Sequence, residues 1–307
     1  MSLLSREIDQ FLAICEARNL ARAADALGLS QPALSRAVQR LEARLGAQLL
    51  VRTPRGVEPT PNGQALRTRA EKARTVLADA EREIEQLSAG KAGKLRIGAG
   101  QLAADFIRRA LFPKLLTERP AAKVLVHIAF DVELRPLVEA GELDFAIAGL
   151  PEAPPADLSL RELAAARMAV VVRSGHPLTT LKRPTARDLV AYRGAAPPAD
   201  TVARQRVEHR IQALGLELAP HALETNSFHM MLAVVASTDA YTFAATDGPF
   251  QSTVPGHLVA IDIPEISFTQ RFGLITRTDA YLSPLALRAV ELIESALAQH
   301  EATARSK

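Results

Sequence analysis

Five side chains in one ten-residue stretch can hydrogen-bond a base edge or grip a phosphate: Gln31, Ser35, Arg36, Gln39 and Arg40. Glutamine and arginine can each make paired hydrogen bonds to a purine edge in a major groove, and serine adapts to either polarity. Arginine also holds backbone phosphates, which positions a reader without specifying sequence. Between these residues lie Leu34, Val38, Leu41 and Leu45 at helical spacing, so one helix would bury one face and present the other. Ser30 is a good N-cap for that helix, and Pro32 fits its first turn, where a missing N–H costs nothing.

The neighbouring segments must position this helix. Residues 3–18 read as a first helix, with Ile8, Phe11, Leu12 and Cys15 inward and Leu4 in register with them. Asn19 then caps a second helix that ends at Leu27, and Gly28 supplies the turn. Helix, tight turn and helix make a helix-turn-helix. Residues 48–52 read as a short strand, 53–56 as a turn and 57–59 as the return, a small β-wing carrying Arg52 and Arg55. From residue 30 to 56 there are five arginines and one acid, a local balance of +4. That is the electrostatic footprint of phosphate binding, which the whole chain's +3 would not indicate.

Thr60 and Pro61 signal a new helix. Along it Leu66, Ala70, Ala73, Leu77, Ala80, Ile84 and Leu87 alternate spacings of four and three, an a/d seam over about three heptads. A broad core face of its own domain is one reading. Pairing with a second copy suits the narrow, Ala-rich stripe better. Residues 88–94 form a small flexible linker. Strands at 95–99, 123–128, 144–148, 168–173, 240–244, 258–263 and 271–277 then alternate with helices at 103–117, 133–140, 203–214, 227–236 and 284–300. The alternation implies a parallel α/β sheet.

The chain has 307 residues, 48% of them hydrophobic, which suits about two folded domains. The seven histidines show no ligand spacing, so no metal site is expected, and no hydrolase elbow or phosphate loop occurs. Gly98, Gly100 and Ala103 match a dinucleotide fingerprint, but the strand that should end in an acid ends in His127 and Ile128, with Asp131 three residues later. A dinucleotide-binding enzyme with an appended DNA-binding domain is therefore the rival reading. The helix after Gly100 equally offers free N–H groups to an anionic ligand. The single cysteine excludes an internal disulfide and reads as a core residue. With no leader-like or membrane-spanning run, a soluble cytoplasmic protein is expected.

The ordered motifs resemble the LysR-type transcriptional regulators. Ala23-Ala24, Leu27, Ser30-Gln31-Pro32 with Ser35, Leu41-Glu42, Leu45-Gly46, Arg52 and Thr60 with Gly63 match the family's pattern. Residues 95–98, 141–147 and 176–178 match its habits less specifically. Leu50 stands where the family usually has Phe, Asn19-Leu20 replaces its usual start of the second helix, and residues 236–241 depart from a Gly-rich segment. The resemblance implies an α/β protein with a winged helix-turn-helix (1–60), a dimerisation helix and hinge (61–94), and a two-lobed periplasmic-binding-protein-like effector domain (95–307). Lobe I would comprise 95–164 plus 268–307, and lobe II 165–267. Double-stranded promoter DNA would meet Ser30, Gln31, Pro32, Ser35, Arg36, Gln39, Arg40, Arg52 and Arg55. A small-molecule effector, an anionic one among the candidates, would meet Gly100, Gln101, Leu102, Gly149, Asn226, Ser227 and Phe228. Where relatives often carry a Ser or Thr after the first strand, this chain has Gly100 and Gln101. A homodimer, a tetramer built from it and contact with RNA polymerase also follow from the resemblance. No catalytic residue, cofactor or membrane partner is expected.

Overall fold

A computed structural model describes residues 6–54, 56–88, 93–153, 155–252 and 256–305. Leu4 and Arg55 lie outside the described residues, as does the side chain of Leu87. The chain divides into two compact units, Met1–Ser88 and Ala89–Lys307.

In the first unit, α1 (Arg6–Ala17), α2 (Leu20–Ala26) and α3 (Gln31–Leu45) pack on one another. The expected caps form. Asn19 Oδ1 accepts from the N–H groups of Ala21 and Arg22, and Ser30 Oγ accepts from Ala33 at 3.3 Å. Each such cap contributes about 1 kcal/mol. Leu34, Ala37, Val38 and Leu41 are buried, whereas Leu45 is 49% exposed, contrary to its place in the predicted stripe. It is the last residue of α3, just before the left-handed turn at Gly46 (φ +64°).

β1 (Leu50–Thr53) and β2 (Gly56–Pro59) pair antiparallel as the wing. A Cβ at Gly56 would lie 2.3 Å from the Arg18 carbonyl, to which Val57 N–H bonds, so glycine lets the wing dock. α4 (Pro61–Ser88) follows. Thr60 Oγ1 donates to the Gln48 carbonyl at 2.7 Å and accepts from Gly63 N–H at 3.1 Å. Glu42 accepts from the N–H groups of Leu49 and Leu50, tying α3 to the wing. Leu66 and Ala70 join the core of their own unit with Phe11, Leu12, Cys15 and Leu41. The start of the predicted seam is thus an intramolecular contact. Further along, Ala73 and Ile84 are exposed while Leu77 and Ala80 are half-buried.

The second unit comprises β3 (Lys94–Ala99), α5 (Gln101–Ala110), α6 (Phe112–Glu118), β4 (Lys123–Ile128), α7 (Asp131–Glu139), β5 (Phe145–Gly149) and β6 (Leu158–Arg173). It continues through α8 (Ala186–Leu189), β7 (Ala195–Ala196), α9 (Val202–Ala213), β8 (Leu223–Glu224), α10 (Phe228–Ser237), β9 (Thr242–Ala245), β10 (Leu258–Ile261), β11 (Phe268–Arg277) and α11 (Pro284–Arg305). The seven-stranded sheet runs β10-β6-β11-β5-β3-β4, with β9 also on β6. It is mixed, which corrects the parallel expectation: only β3 pairs parallel, with β4 and β5. No helix separates β5 from β6 or β10 from β11. β11 lies between β5 and β6 and runs antiparallel to both, and β10 and β9 run antiparallel to β6. The predicted 103–117 helix is broken at Leu111, where Pro113 opens α6, because proline cannot continue a helix interior.

β6 and β11 are antiparallel along ten register pairs in the middle of the sheet. β5, β3 and β4 extend one end, and β9 and β10 pair with the other end of β6. Their register shifts between Phe272 and Gly273, where a Cβ would lie 2.4 Å from the Arg161 carbonyl. A bulge of this kind bends and twists the paired strands between the lobes.

The family-like motifs acquire packing reasons. Arg96 and Asp144 form a mostly buried pair at 2.5 Å, and Asp144 also accepts from Arg96 N–H. His176 is fully buried, its Nδ1 accepting from Leu178 N–H and its Nε2 facing the Asp239 carbonyl at 3.1 Å.

A Cβ at Gly63 would sit 1.9 Å from the Leu49 carbonyl. Gly63→Ala is therefore expected to lower stability by about 1–3 kcal/mol, the range for overpacking a tight contact, read from urea unfolding of the full chain.

Candidate nucleic-acid interface and small-molecule cleft

Burying one side of α3 turns Gln31, Arg36, Gln39 and Arg40 outward, all exposed, with Ser35 half-buried beside them. Ser30 and Pro32, at the helix N-terminus, are exposed too, as is Arg52 on the wing. Arg36 and Arg52 have no ion-pair partner among the described residues. Arg40 and Arg44 both reach Glu7 on α1, at 3.4 and 3.1 Å. The charge count over residues 30–56 missed this carboxylate because it enters from another helix. The pairs are largely exposed, so they hold the arginines weakly and leave them able to exchange partners. Cys15 lies under α3 and α4, and burial, opposed by the Arg67 guanidinium, pushes its thiol up to about 11. It stays protonated and unreactive at neutral pH.

In the second unit a cleft lies between the two ends of the mixed sheet. A cavity of about 80 Å³ is lined by Gln101 and Leu102 from one lobe and by Phe228, Met231 and Tyr241 from the other. A second, of about 60 Å³, shares Gln101, Leu102 and Phe130 and adds Gly100, Gly149, Asp131 and Gln270. Gly100 N–H bonds to the Ile147 carbonyl at 2.7 Å, and a Cβ there would press on Ala148 at 3.1 Å. A Cβ at Gly98 would meet Ala146 at 2.8 Å. The spacing that imitated a dinucleotide fingerprint thus serves the close packing of β3 and the start of α5 against β5.

Five of the seven sequence-predicted effector residues line these cavities, and Asn226 and Ser227 do not. Ser227 Oγ caps α10 by accepting from Met230 N–H, while the Asn226 carbonyl accepts from Gln101 Nε2 at 2.9 Å. That bond links the lobes across the cleft. Sequence reasoning missed Asp131, Arg204, Glu208, His221 and Tyr241. Asp131 was considered only as a displaced cofactor acid, and no local pattern joins it to α9, some 70 residues on. Its carboxyl is 6% exposed, bonded to Arg135 at 3.2 Å, and faces Val202 N–H at the start of α9. Burial is the largest influence and pushes it up to about 6, against the pull of Arg135.

Residues 5–64 match the family model "Bacterial regulatory helix-turn-helix protein, lysR family", and residues 88–298 match "LysR substrate binding domain". The chain belongs to the LysR family of transcriptional regulators. It is 32% identical over 293 residues to the HTH-type transcriptional regulator GbpR of Azospirillum brasilense, covering 95% of this chain and 86% of that one. The SDS degradation transcriptional activation protein of a Pseudomonas strain is 33% identical, with 92% of each chain covered. Among solved structures, full-length OxyR from Pseudomonas aeruginosa has a TM-score of 0.59 at 22% identity, covering 95% of this chain and 93% of that one. Full-length CbnR complexed with its target DNA has a TM-score of 0.50 at 23% identity, covering 95% and 99%. This LysR-type protein is thus a DNA-binding regulator under small-molecule control, with a winged helix-turn-helix and a two-lobed effector domain. No helix among the described residues is long and apolar enough to cross a membrane.

The raised carboxyl of Asp131 sets a pH dependence with a definite sign. The folded regulator holds that proton more tightly than the unfolded chain, so its contribution is complete below about pH 4 and is lost as pH rises past about 6. Asp131→Asn removes this component. Relative to wild type, the variant should gain on the order of 3 kcal/mol between pH 4 and 7, measured by thermal unfolding across that range.

Proposed function

We propose that two copies of this regulator pair through α4 and set two α3 helices into successive major grooves of a pseudo-palindromic promoter site. The observation that carries this reading is the outward polar face of α3, beside a capped helix N-terminus and below an arginine-bearing wing. Gln31, Ser35, Arg36 and Gln39 would read base edges. Ser30, Pro32 and Arg40 would lie along the backbone, with Arg52 and Arg55 as the wing contacts. The residues for pairing are Ala73, Leu77, Ala80, Ile84 and Leu87, since Leu66 and Ala70 serve mainly their own unit. In this reading 1–60 binds DNA, 61–94 pairs the copies and 95–307 holds the effector. Lobe I comprises 95–164 with 268–307, and lobe II comprises 165–267. The cytoplasm, where promoter DNA lies, is its place of action, and RNA polymerase is a further partner.

The effector acts by biasing how the lobes close about β6 and β11, which requires different affinities for the two closures. Closed and open forms would differ first at the Gln101–Asn226 bond. The edge strand β4 exposes Leu125, Val126 and Ile128, at 40%, 40% and 54%, and supports assembly beyond the dimer.

Arg36→Ala is expected to weaken specific promoter binding about 5- to 150-fold, the 1–3 kcal/mol of one base contact, in fluorescence anisotropy with footprinting. An unchanged footprint sinks the assignment of α3. Leu77→Asp with Ile84→Asp should yield monomers, or disrupt the pairing of α4 in any larger assembly, by sedimentation velocity. A dimer that survives unchanged moves the interface elsewhere.

A further inference from the structure

The Tyr241 side chain is 3% exposed, and its hydroxyl has no hydrogen-bond partner among the described residues. It stands on the wall of the larger cavity, in lobe II. A buried hydroxyl without a partner is destabilising, and native interiors rarely tolerate one without a reason. Pairing with a ligand's polar group is such a reason. Burial, with Glu208 adding to it, pushes the Tyr241 phenol up to about 12, so it stays a neutral donor and acceptor.

The charged groups around the cavities leave little for an anion. Arg204 is the only cation on either wall among the described residues. It is spent on Glu208 at 2.7 Å, Glu224 at 2.5 Å and the Pro197 carbonyl at 2.8 Å. His221, beside Tyr241, is pushed down by burial and by Arg204, so it is uncharged at neutral pH. Across the cleft Asp131 occupies the start of α9, the helix end that would otherwise attract an anion. Two carboxylates, Glu208 and Asp131, thus face the cavities against one engaged guanidinium. The first turn of α5 keeps free N–H groups, which a carbonyl or hydroxyl oxygen can use as well as a carboxylate can.

We propose that the effector of this cleft is an uncharged molecule, with an apolar body in the cavity and a hydroxyl or carbonyl group hydrogen-bonded to the Tyr241 hydroxyl. This rests on the ligand-gated reading and replaces the anionic effector that the glycine-led helix start suggested. The two adjoining cavities are together comparable to the ~150 Å³ that holds benzene in an engineered protein core, so a ligand of about six to eight heavy atoms fits.

The test uses the full chain, wild type and Tyr241→Phe, in thermal-shift titrations with size-matched pairs. These are cyclopentanecarboxamide against cyclopentanecarboxylate, pentanamide against pentanoate, and butyramide against butyrate. Without ligand, Tyr241→Phe should raise the midpoint by a few degrees, because it removes an unpaired buried hydroxyl. A lowered midpoint means the hydroxyl already has an internal partner and overturns the proposal. With ligand, at least one uncharged member should raise the wild-type midpoint by 2 °C or more, its carboxylate twin should not, and Tyr241→Phe should lose at least half of the shift. Shifts confined to carboxylates, shifts that Tyr241→Phe retains, or no shift from any uncharged member each overturn it. Promoter binding by the same samples, read by anisotropy, reports separately on whether the DNA-binding reading stands.

Discussion

The burial of Leu34, Ala37, Val38 and Leu41 against α1 and α2 is the constraint on which the first unit depends. A helix with an apolar stripe can satisfy that stripe in one orientation only, and the orientation dictates what the opposite face presents. Gln31, Arg36, Gln39 and Arg40 are outward because those four are inward. The surrounding devices fix the helix along its axis: Ser30 at its start, left-handed Gly46 at its end, and Glu42 holding the first N–H groups of the wing. A polar surface that must meet a groove at a set depth gains from being rigid before it binds, since less ordering remains to be done on contact.

The second unit rests on a different constraint, the antiparallel pairing of β6 with β11 in the middle of the sheet. Two strands that cannot separate without losing their ladder let the lobes rotate but not drift apart. The bulge at Gly273 twists the ribbon between the lobes, and the cleft opens on the side where α5, α9 and α10 begin. Three residues of the cleft wall stand at element ends: Gln101 opens α5, Asp131 opens α7 and Phe228 opens α10. Small rotations about the ribbon therefore change distances across the cleft more than distances within either lobe.

Much of the first unit was legible in the sequence because its signals are local. Asn19, Ser30, Gly28 and Gly46 act within four residues of their own positions, and the stripe on α3 is a simple period. Leu45 was misjudged because periodicity does not say where a helix stops being covered. The second unit was harder to read. The half-buried, Ala-rich stretch 158–167 of β6 carries no clean alternation, and Pro113 splits what looked like one helix. The cleft was the least legible of all. Gln101 and Asn226 meet across 125 residues, and Arg204 finds Glu224 20 residues away. No spacing rule encodes such meetings. Tyr241 looks like a strand residue until the fold sets it on a cavity wall with its hydroxyl unpartnered.

The central claim is that two outward faces of α3 read DNA together. Cleavage of a selected operator by an iron chelate tethered at Ser35→Cys measures this most directly, and buried Cys15, with its raised thiol, stays unlabelled. Paired α3 helices should give two clusters of cuts in major grooves on one side of the duplex, related by a two-fold axis, with centres about 10 base pairs or a multiple of that apart. A single cluster, cuts confined to the minor groove, or cutting no stronger than from free chelate would contradict it.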